Sequence, residues 1–596
     1  MCGIIACRTH RSAVNYLLPA LHRLEYRGYD SVGIAVTTID GDIARLRAVG
    51  RVEALEAKIG QADPAQWNGC GIGHTRWATH GPVTESNAHP HQDCTGRIAL
   101  VHNGIIDEPG TIRERLTKTG HYVVSAVDSE LLAHLIEEGL RRDGGIVDAV
   151  ANALDGVQGS WALAVLDRLS GRIVVASQRS PLLVAHTQHG DFAASDIAAI
   201  ADWTDDFSVL EDGDVVELGN LGTWCNKGSA ARPRPSRRCE WVGSDLALAG
   251  HSDYMAKEID EQPELVARLV DSLGAGVVDG SLATDIGLRQ FDRVTVVGCG
   301  TSLNAGWAVS NLLGQLGAVP ARTVVASEAC WEVTEPNTLC IALSQSGESA
   351  DVLRAVETPA LCSLPLLAIT NNVHSTLSRR ADAMIDCSAG PEIGVAATKT
   401  FVCQIVAGAA VMTAAMAASG RVSNRTARHV VDELRRLPEQ LAAACESAKY
   451  AIPDLVEELS SATGWLYLAR GAGVPFAAEG ALKMKELTYR WAEHYPAGEL
   501  KHGPLALVES GTPVVVVDTG EPRLAATMAE VRSRGGRIVS IGVPGSTVEV
   551  DVVLPAPPWG PLVATIPMQI LARSMAVALG CDVDKPRNLA KAVTVE

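Results

Sequence analysis

Apolar positions along the chain change rhythm twice. Through about residue 220, short apolar runs such as RIALVH (97–102) and WALAVLD (161–167) mix with helical-period stretches such as DSELLAHLIEEGLRR from Asp128. That mixture predicts an α+β domain. From about Asn220 to His251 the periodicity lapses, and NKGSAARPRPSRRCEW concentrates Pro, Ser, Gly and Arg, which predicts a linker. Beyond it apolar strands alternate with helical segments, as a parallel α/β sheet requires. The expected divisions are 1–220, a linker 221–251, two units 252–440 and 441–586, and a tail 587–596.

The second half also repeats itself. VTVVGCGTS (294–302) has a counterpart in WLYLARGAG (465–473), and ASE (326–328) in AGE (497–499), each 171 residues later. TLCIALSQSGE pairs with TPVVVVDTGE at a slightly larger offset. Two tandem copies of a doubly wound domain account for this better than one large sheet. FVCQIVAGAAVMTAAMAASG (401–420) is long enough to span a bilayer, but its Ala, Gly and Gln404 content and the lack of a second such segment predict a buried helix instead.

Composition narrows the function. A chain of 596 residues exceeds one core and predicts about three or four domains. The formal charge of −18 argues against a dedicated nucleic-acid or anionic-membrane surface. Fourteen cysteines without a CxxC pair indicate neither a zinc ribbon nor a thioredoxin-like site, and point to a reducing, cytosolic compartment. The N-terminus lacks the charged and apolar regions of a signal peptide.

Candidate chemistry lies at strand ends. In VTVVGCGTS an apolar strand runs into two glycines and the hydroxyls of Thr301 and Ser302 before a helical stretch, a turn suited to an anion. The third glycine of a dinucleotide fingerprint and a P-loop lysine are both absent. LCIAL runs into SQSGES, where Ser344, Gln345, Ser346 and Ser349 offer neutral donors for a phosphate. Two such turns on adjacent strands predict a phosphorylated ligand at the sheet's carboxyl edge. ALKMKELTYR sets Lys483 and Glu486 on one helical face, AGELKHGPLAL adds His502, and Lys591 stands near the C-terminus. An amine, a carboxylate and a histidine together suit aldose–ketose isomerisation. At the other end, MCGII places Cys2 behind the initiator methionine, where a core thiol and an N-terminal nucleophile look alike.

The ordered motifs MCGII, RLEYRGYDS, HTRWATHG, NAHPH, VHNGII, CGTS, SQSGE, EIGVA, AGELKHGPLAL and DVDKPRNLAKAVTVE span the chain. With them the sequence resembles the glutamine:fructose-6-phosphate amidotransferase family, the glucosamine-6-phosphate synthases. The resemblance implies an α/β multidomain protein: an N-terminal class II glutaminase with an αββα sandwich, then two tandem sugar-isomerase domains with doubly wound parallel sheets. It implies that Cys2 becomes the first residue and attacks glutamine, with Arg76, His80 and Asp128 at the glutamine, Asn103 and Gly104 as oxyanion hole, and Trp77 gating an ammonia channel. It further implies that Thr301, Ser302, Ser344, Gln345, Ser346 and Ser349 hold the sugar phosphate. His502 opens the ring in a neighbouring subunit, Lys591 forms a Schiff base, and Glu486 moves the proton with Lys483 close by. The substrates implied are L-glutamine and a ketose phosphate, with a homodimer and no metal, cofactor, nucleic acid or membrane. The HPH of 89–91 then reads as loop structure.

The sequence departs from the family mostly around the sugar: Ala397 where a serine is usual, Leu303 for a tyrosine, and ASEACWEV for an aromatic, arginine-rich segment. Ser349 stands for threonine, and Ala126 and Val127 precede Asp128 where Glu and Thr are typical. The expected reaction is glutamine-dependent conversion of fructose 6-phosphate to glucosamine 6-phosphate. The alternatives are a paralogue using another ketose phosphate and a non-catalytic sugar-phosphate sensor; retention of Lys591, Glu486 and His502 argues against the sensor.

Overall fold

A computed structural model describes residues 2–63, 67–142, 145–239, 241, 243–316, 319–542, 551–553 and 560–594. Met1 and the last two residues of the expected tail lie outside the described residues. The chain divides into two compact units, 1–247 with 590–596, and 248–589.

The first unit is four layers deep. An eight-stranded antiparallel sheet has the strands Gly3–Thr9, Trp67–Arg76 and Ser31–Thr38 side by side, and a seven-stranded one has Arg172–Gln178, Gly159–Asp167 and Ile98–Ile106. The two-residue alternation of each strand explains the layering. Ile4, Ala6, Ile72, Ala99, Val101, Ala162 and Ala164 pack between the sheets. Their neighbours Ile5 and Cys7 face outward onto the helix Val14–Leu24, while Ile98 and Leu100 face the helix Ser129–Leu140. The result is the αββα sandwich.

Residues 221–251 are not a plain linker. They contain Trp224–Asn226 and Ser229–Ala231, which extend the seven-stranded sheet, and Ser236–Arg238, which caps the edge of the eight-stranded one. Three-residue edge strands are too short to show a two-residue period, and the prolines between them mask what remains.

The second unit holds two five-stranded parallel sheets of matching topology. The strands Arg293–Gly298 and Gly464–Ala469 are 171 residues apart, and each sits second in its sheet beside Thr338–Ser344 and Pro513–Asp518 respectively. The duplication read from the sequence is a duplication of fold. The helix Asn424–Leu459 runs unbroken through the expected boundary at 440, because its apolar face stays buried from Ala427 to Leu459. The helix Lys399–Ala418 is buried on nearly every side, with Phe401, Val402, Val406 and Met412 wholly inside, each worth about 1.5–3 kcal/mol in burial. A second stretch, Pro561–Ala578, is also long and apolar enough to cross a membrane, contrary to the sequence reading; 78% of it is buried in the unit, against 89% for Lys399–Ala418.

Candidate active site

The same alternation that builds the sandwich core assembles the glutaminase site. Counting back from Ile4, Cys2 has the inward parity; so do His74 and Arg76 after Ile72, and Asn103 after Val101. These side chains therefore meet between the sheets at the strand ends. The Trp77 N–H donates to Cys2 Sγ at 3.2 Å, and Asn103 Nδ2 donates to the Cys2 carbonyl at 2.9 Å. Burial pushes the Cys2 thiol up, while the Trp77 N–H and Arg76 pull it down.

Asn103 is fixed from behind. His74 Nε2 lies 3.0 Å from Asn103 Oδ1 and 3.1 Å from the His102 carbonyl, two acceptors that require Nε2 to carry the proton. Burial holds the His74 imidazole down to about 3, so the ring is neutral and its one donor is committed. The amide NH₂ of Asn103 is thereby turned toward Cys2. The HPH segment backs this arrangement: His89 stacks on His74 at 4.0 Å and accepts from the His102 N–H at Nδ1. Sequence reasoning left these histidines as loop structure; their signal was the histidine-rich spacing of HTRWATHG, NAHPH and VHNGII.

Gly104 follows with φ 131°, and a Cβ there would lie 2.0 Å from the Ser160 carbonyl oxygen, so only glycine fits the close strand pairing. Arg76 Nη2 donates to the His80 carbonyl at 2.5 Å, while Nη1 is buried with no partner. His80 itself is exposed and contributes its backbone. Asp128 stands at the start of the helix Ser129–Leu140 and accepts from the Ile106 N–H at 2.9 Å. Trp77 packs edge-on against Tyr29 at 5.6 Å. Asp30, missed by the sequence reading although it lies within RGYDS, accepts from the Ala78 N–H at 2.8 Å and so holds the turn carrying Trp77.

In the second unit, the parallel neighbours Arg293–Gly298 and Thr338–Ser344 deliver both hydroxyl-rich turns to one sheet edge. Ser344 Oγ accepts from the Gly347 N–H at 3.1 Å and lies 3.1 Å from Ser349 Oγ, while Ser346 Oγ accepts from the Glu348 N–H. Gly347 takes φ 65°, and a Cβ would strike Ser375 Oγ at 2.0 Å. Gln345 contributes its carbonyl, which accepts from the Asn371 N–H at 3.1 Å. Ser302 Oγ accepts from Gln404 Nε2 at 3.1 Å.

Thr301 faces elsewhere than the sequence suggested. Its hydroxyl and Asn304 Nδ2 donate to the buried Glu479, each at 2.9 Å, linking the first sheet's helix to the second's. Lys483, fully buried one turn on, lies 3.4 Å from Glu479 and donates to Glu486. Burial opposes its charge, but Glu486 and Glu479 outweigh it and hold the ammonium above the ordinary lysine range. His502 is exposed at the end of the short turn Glu499–His502. Lys591 falls with the first compact unit and Glu486 with the second. Ala397 is half-buried between Ala396 and Thr398, and Trp331 of the divergent segment is 81% exposed.

Family models agree with this division: a glutamine amidotransferase domain matches residues 74–202, and the SIS domain matches 287–414 and 458–550. Proteins named glutamine–fructose-6-phosphate aminotransferase (isomerizing) from Thermus thermophilus and Neisseria meningitidis serogroup A are each 40% identical over the full length of both chains. The one from Pseudomonas aeruginosa is 39% identical, again end to end. The solved C-terminal domain of glucosamine-fructose-6-phosphate aminotransferase from Francisella tularensis is 33% identical, covers 57% of this chain and all of that one, and superposes with a TM-score of 0.53. With that identity sustained along its whole length, the chain belongs to the glutamine–fructose-6-phosphate aminotransferase (isomerizing) family.

Proposed function

We propose that this chain converts fructose 6-phosphate and glutamine into glucosamine 6-phosphate and glutamate. The reading is carried by the meeting of Cys2, Arg76 and Asn103 between the two sheets of a chain that matches named aminotransferases end to end. Removal of Met1 frees the Cys2 α-amine, which takes the thiol proton as Sγ bonds to the amide carbon of glutamine. The oxyanion receives the second N–H of Asn103 Nδ2 and the Gly104 N–H. Ammonia leaves, and water cleaves the thioester to glutamate. The unpartnered Nη1 of Arg76 suits the glutamine carboxylate, and Asp128 suits its α-amine.

At the sugar site, Ser302, Ser344, Gln345, Ser346 and Ser349 hold the phosphate, with Thr301 buttressing the turn through Glu479. Lys591 forms the Schiff base with the open-chain ketose, and Glu486, held against Lys483, moves the proton between adjacent carbons. His502 promotes ring opening, and its exposure suits service in the site of a neighbouring subunit of a homodimer. Fourteen cysteines without a CxxC pair fit a reducing cytosolic compartment. A second reading, amination of a different ketose phosphate, is favoured by the half-buried Ala397 where a serine is usual and by the divergent ASEACWEV segment with its exposed Trp331.

The test is product identification by mass spectrometry, with amide-labelled glutamine and fructose 6-phosphate. Labelled glucosamine 6-phosphate is expected. Labelled ammonia without aminosugar would refute the sugar assignment and send the search to other ketose phosphates.

A further inference from the structure

Two loops and a helix of the first unit bring four metal-ligating side chains to one point that the proposed chemistry does not use. Cys94 stands in the turn between the strands His91–Gln92 and Ile98–Ile106, and His121 follows the helix Pro109–Lys118. His134 and Glu137 lie three residues apart on one face of the helix Ser129–Leu140. One ligand atom from each falls within 4.8 Å of the other three.

The spacing is that of a coordination shell. Cys94 Sγ is 3.5 Å from His121 Nδ1 and 3.5 Å from His134 Nδ1. Glu137 Oε2 lies 3.2 Å from the first of those nitrogens and 3.5 Å from the second. Around a tetrahedral zinc ion, with sulfur at about 2.3 Å and nitrogen or oxygen at about 2.0–2.1 Å, neighbouring ligands stand roughly 3.3–3.6 Å apart. The far nitrogens of the rings add a second argument. His121 Nε2 faces Glu138 Oε1 at 3.5 Å and His134 Nε2 faces Glu130 Oε1 at 3.6 Å, and both are buried without a hydrogen bond. Each ring therefore faces a carboxylate at both of its nitrogens. A cation at Nδ1 resolves this, since Nε2 then keeps the proton and points it at its carboxylate, the usual support of a metal-bound histidine. The remaining ligands are oriented too: the Tyr122 N–H donates to Cys94 Sγ at 3.4 Å, and Arg141 holds the other oxygen of Glu137.

We propose that Cys94, His121, His134 and Glu137 form a structural site for one zinc ion. A thiolate with two imidazoles selects zinc over magnesium or calcium, and four protein ligands leave no open position for catalysis. Binding releases the Cys94 thiol proton to solvent. The ion ties the turn before the Asn103 strand, and the loop leading to Asp128, onto the helix that Asp128 begins, so it braces two walls of the glutamine pocket.

The experiment uses the full-length protein, stripped with a chelator and then titrated with Zn²⁺ or Co²⁺. One zinc per chain retained through dialysis is expected, with cobalt giving a thiolate charge-transfer band and the intense visible bands of a tetrahedral site. Cys94→Ser should lose the charge-transfer band, and His134→Gln should weaken zinc binding by about 100-fold. Cys94 is exposed, so its serine variant is expected to keep its circular dichroism spectrum and serve as the folded control. The proposal is overturned if the wild type takes up no more zinc than Cys94→Ser, or binds cobalt without the thiolate band.

Discussion

At the scale of single residues, the glutaminase site depends on one amide pointing one way. Asn103→Ala removes an oxyanion donor and should lower kcat for glutamine hydrolysis by about 10²–10³, read in a glutamate-release assay. His74→Ala frees the amide to turn and should lower the same kcat while leaving the KM for glutamine nearly unchanged, because Arg76 and Asp128 are untouched. The same histidine sets a pH dependence. In the folded chain its imidazole is held down to about 3 by burial, against 6.5 when exposed. Between those values the unfolded chain binds a proton that the native one refuses, so stability rises with pH through that window and is lost as pH falls below about 6.5. One unit below, His74 alone costs about 1.4 kcal/mol, and His89 and His91, also depressed by burial, add to it. Urea titrations at pH 7.5 and 5.5 should therefore differ for the first unit, and a His74→Gln variant should narrow the gap. Much of this site was legible in the sequence. Cys2, Arg76 and Asn103 lie in the motifs MCGII, HTRWATHG and VHNGII, and strand parity sends all three inward. The histidine backing was not legible, because stacking between His74 and His89 depends on how separate strands pair.

At the scale of elements, the close approach of Ile98–Ile106 to Gly159–Asp167 rests on Gly104. Gly104→Ala meets both an unfavourable φ and the Ser160 carbonyl, and should destabilise by about 3 kcal/mol or more, seen as a lower urea midpoint together with lost glutaminase activity. The helix Val474–Thr488 has a comparable dependence on charge. Glu479→Ala leaves Lys483 with one carboxylate and removes the acceptor of Thr301 and Asn304, and should cost about 3–5 kcal/mol in the second unit, read by calorimetry. The parallel sheets and their duplication could be read from apolar runs at a fixed offset, because buried parallel strands are continuous in hydrophobicity. The edge strands at 224–238 and the passage of Asn424–Leu459 through 440 could not. Three-residue strands carry no periodicity, and a long amphipathic helix gives no sign of which domain owns it.

At the scale of the whole molecule, the proposed catalytic groups are shared between the two compact units. Cys2 belongs to the first unit; Glu486 and Lys483 belong to the second, yet Lys591 falls with the first by contact. The Schiff-base role of Lys591 and the nucleophile role of Cys2 are still separable, because they act on different substrates. Cys2→Ala should abolish glutamate release and leave fructose 6-phosphate isomerisation running, since nothing in the second unit has changed. Lys591→Ala should abolish aminosugar formation by at least about 10³ while glutamine hydrolysis stays measurable, because the Asn103, Gly104 and Arg76 set is intact. Parallel glutamate and aminosugar assays on both variants distinguish the roles. Aminosugar synthesis surviving in Lys591→Ala would take the Schiff-base role away from Lys591 and make Lys483, which donates to Glu486, the next lysine to test.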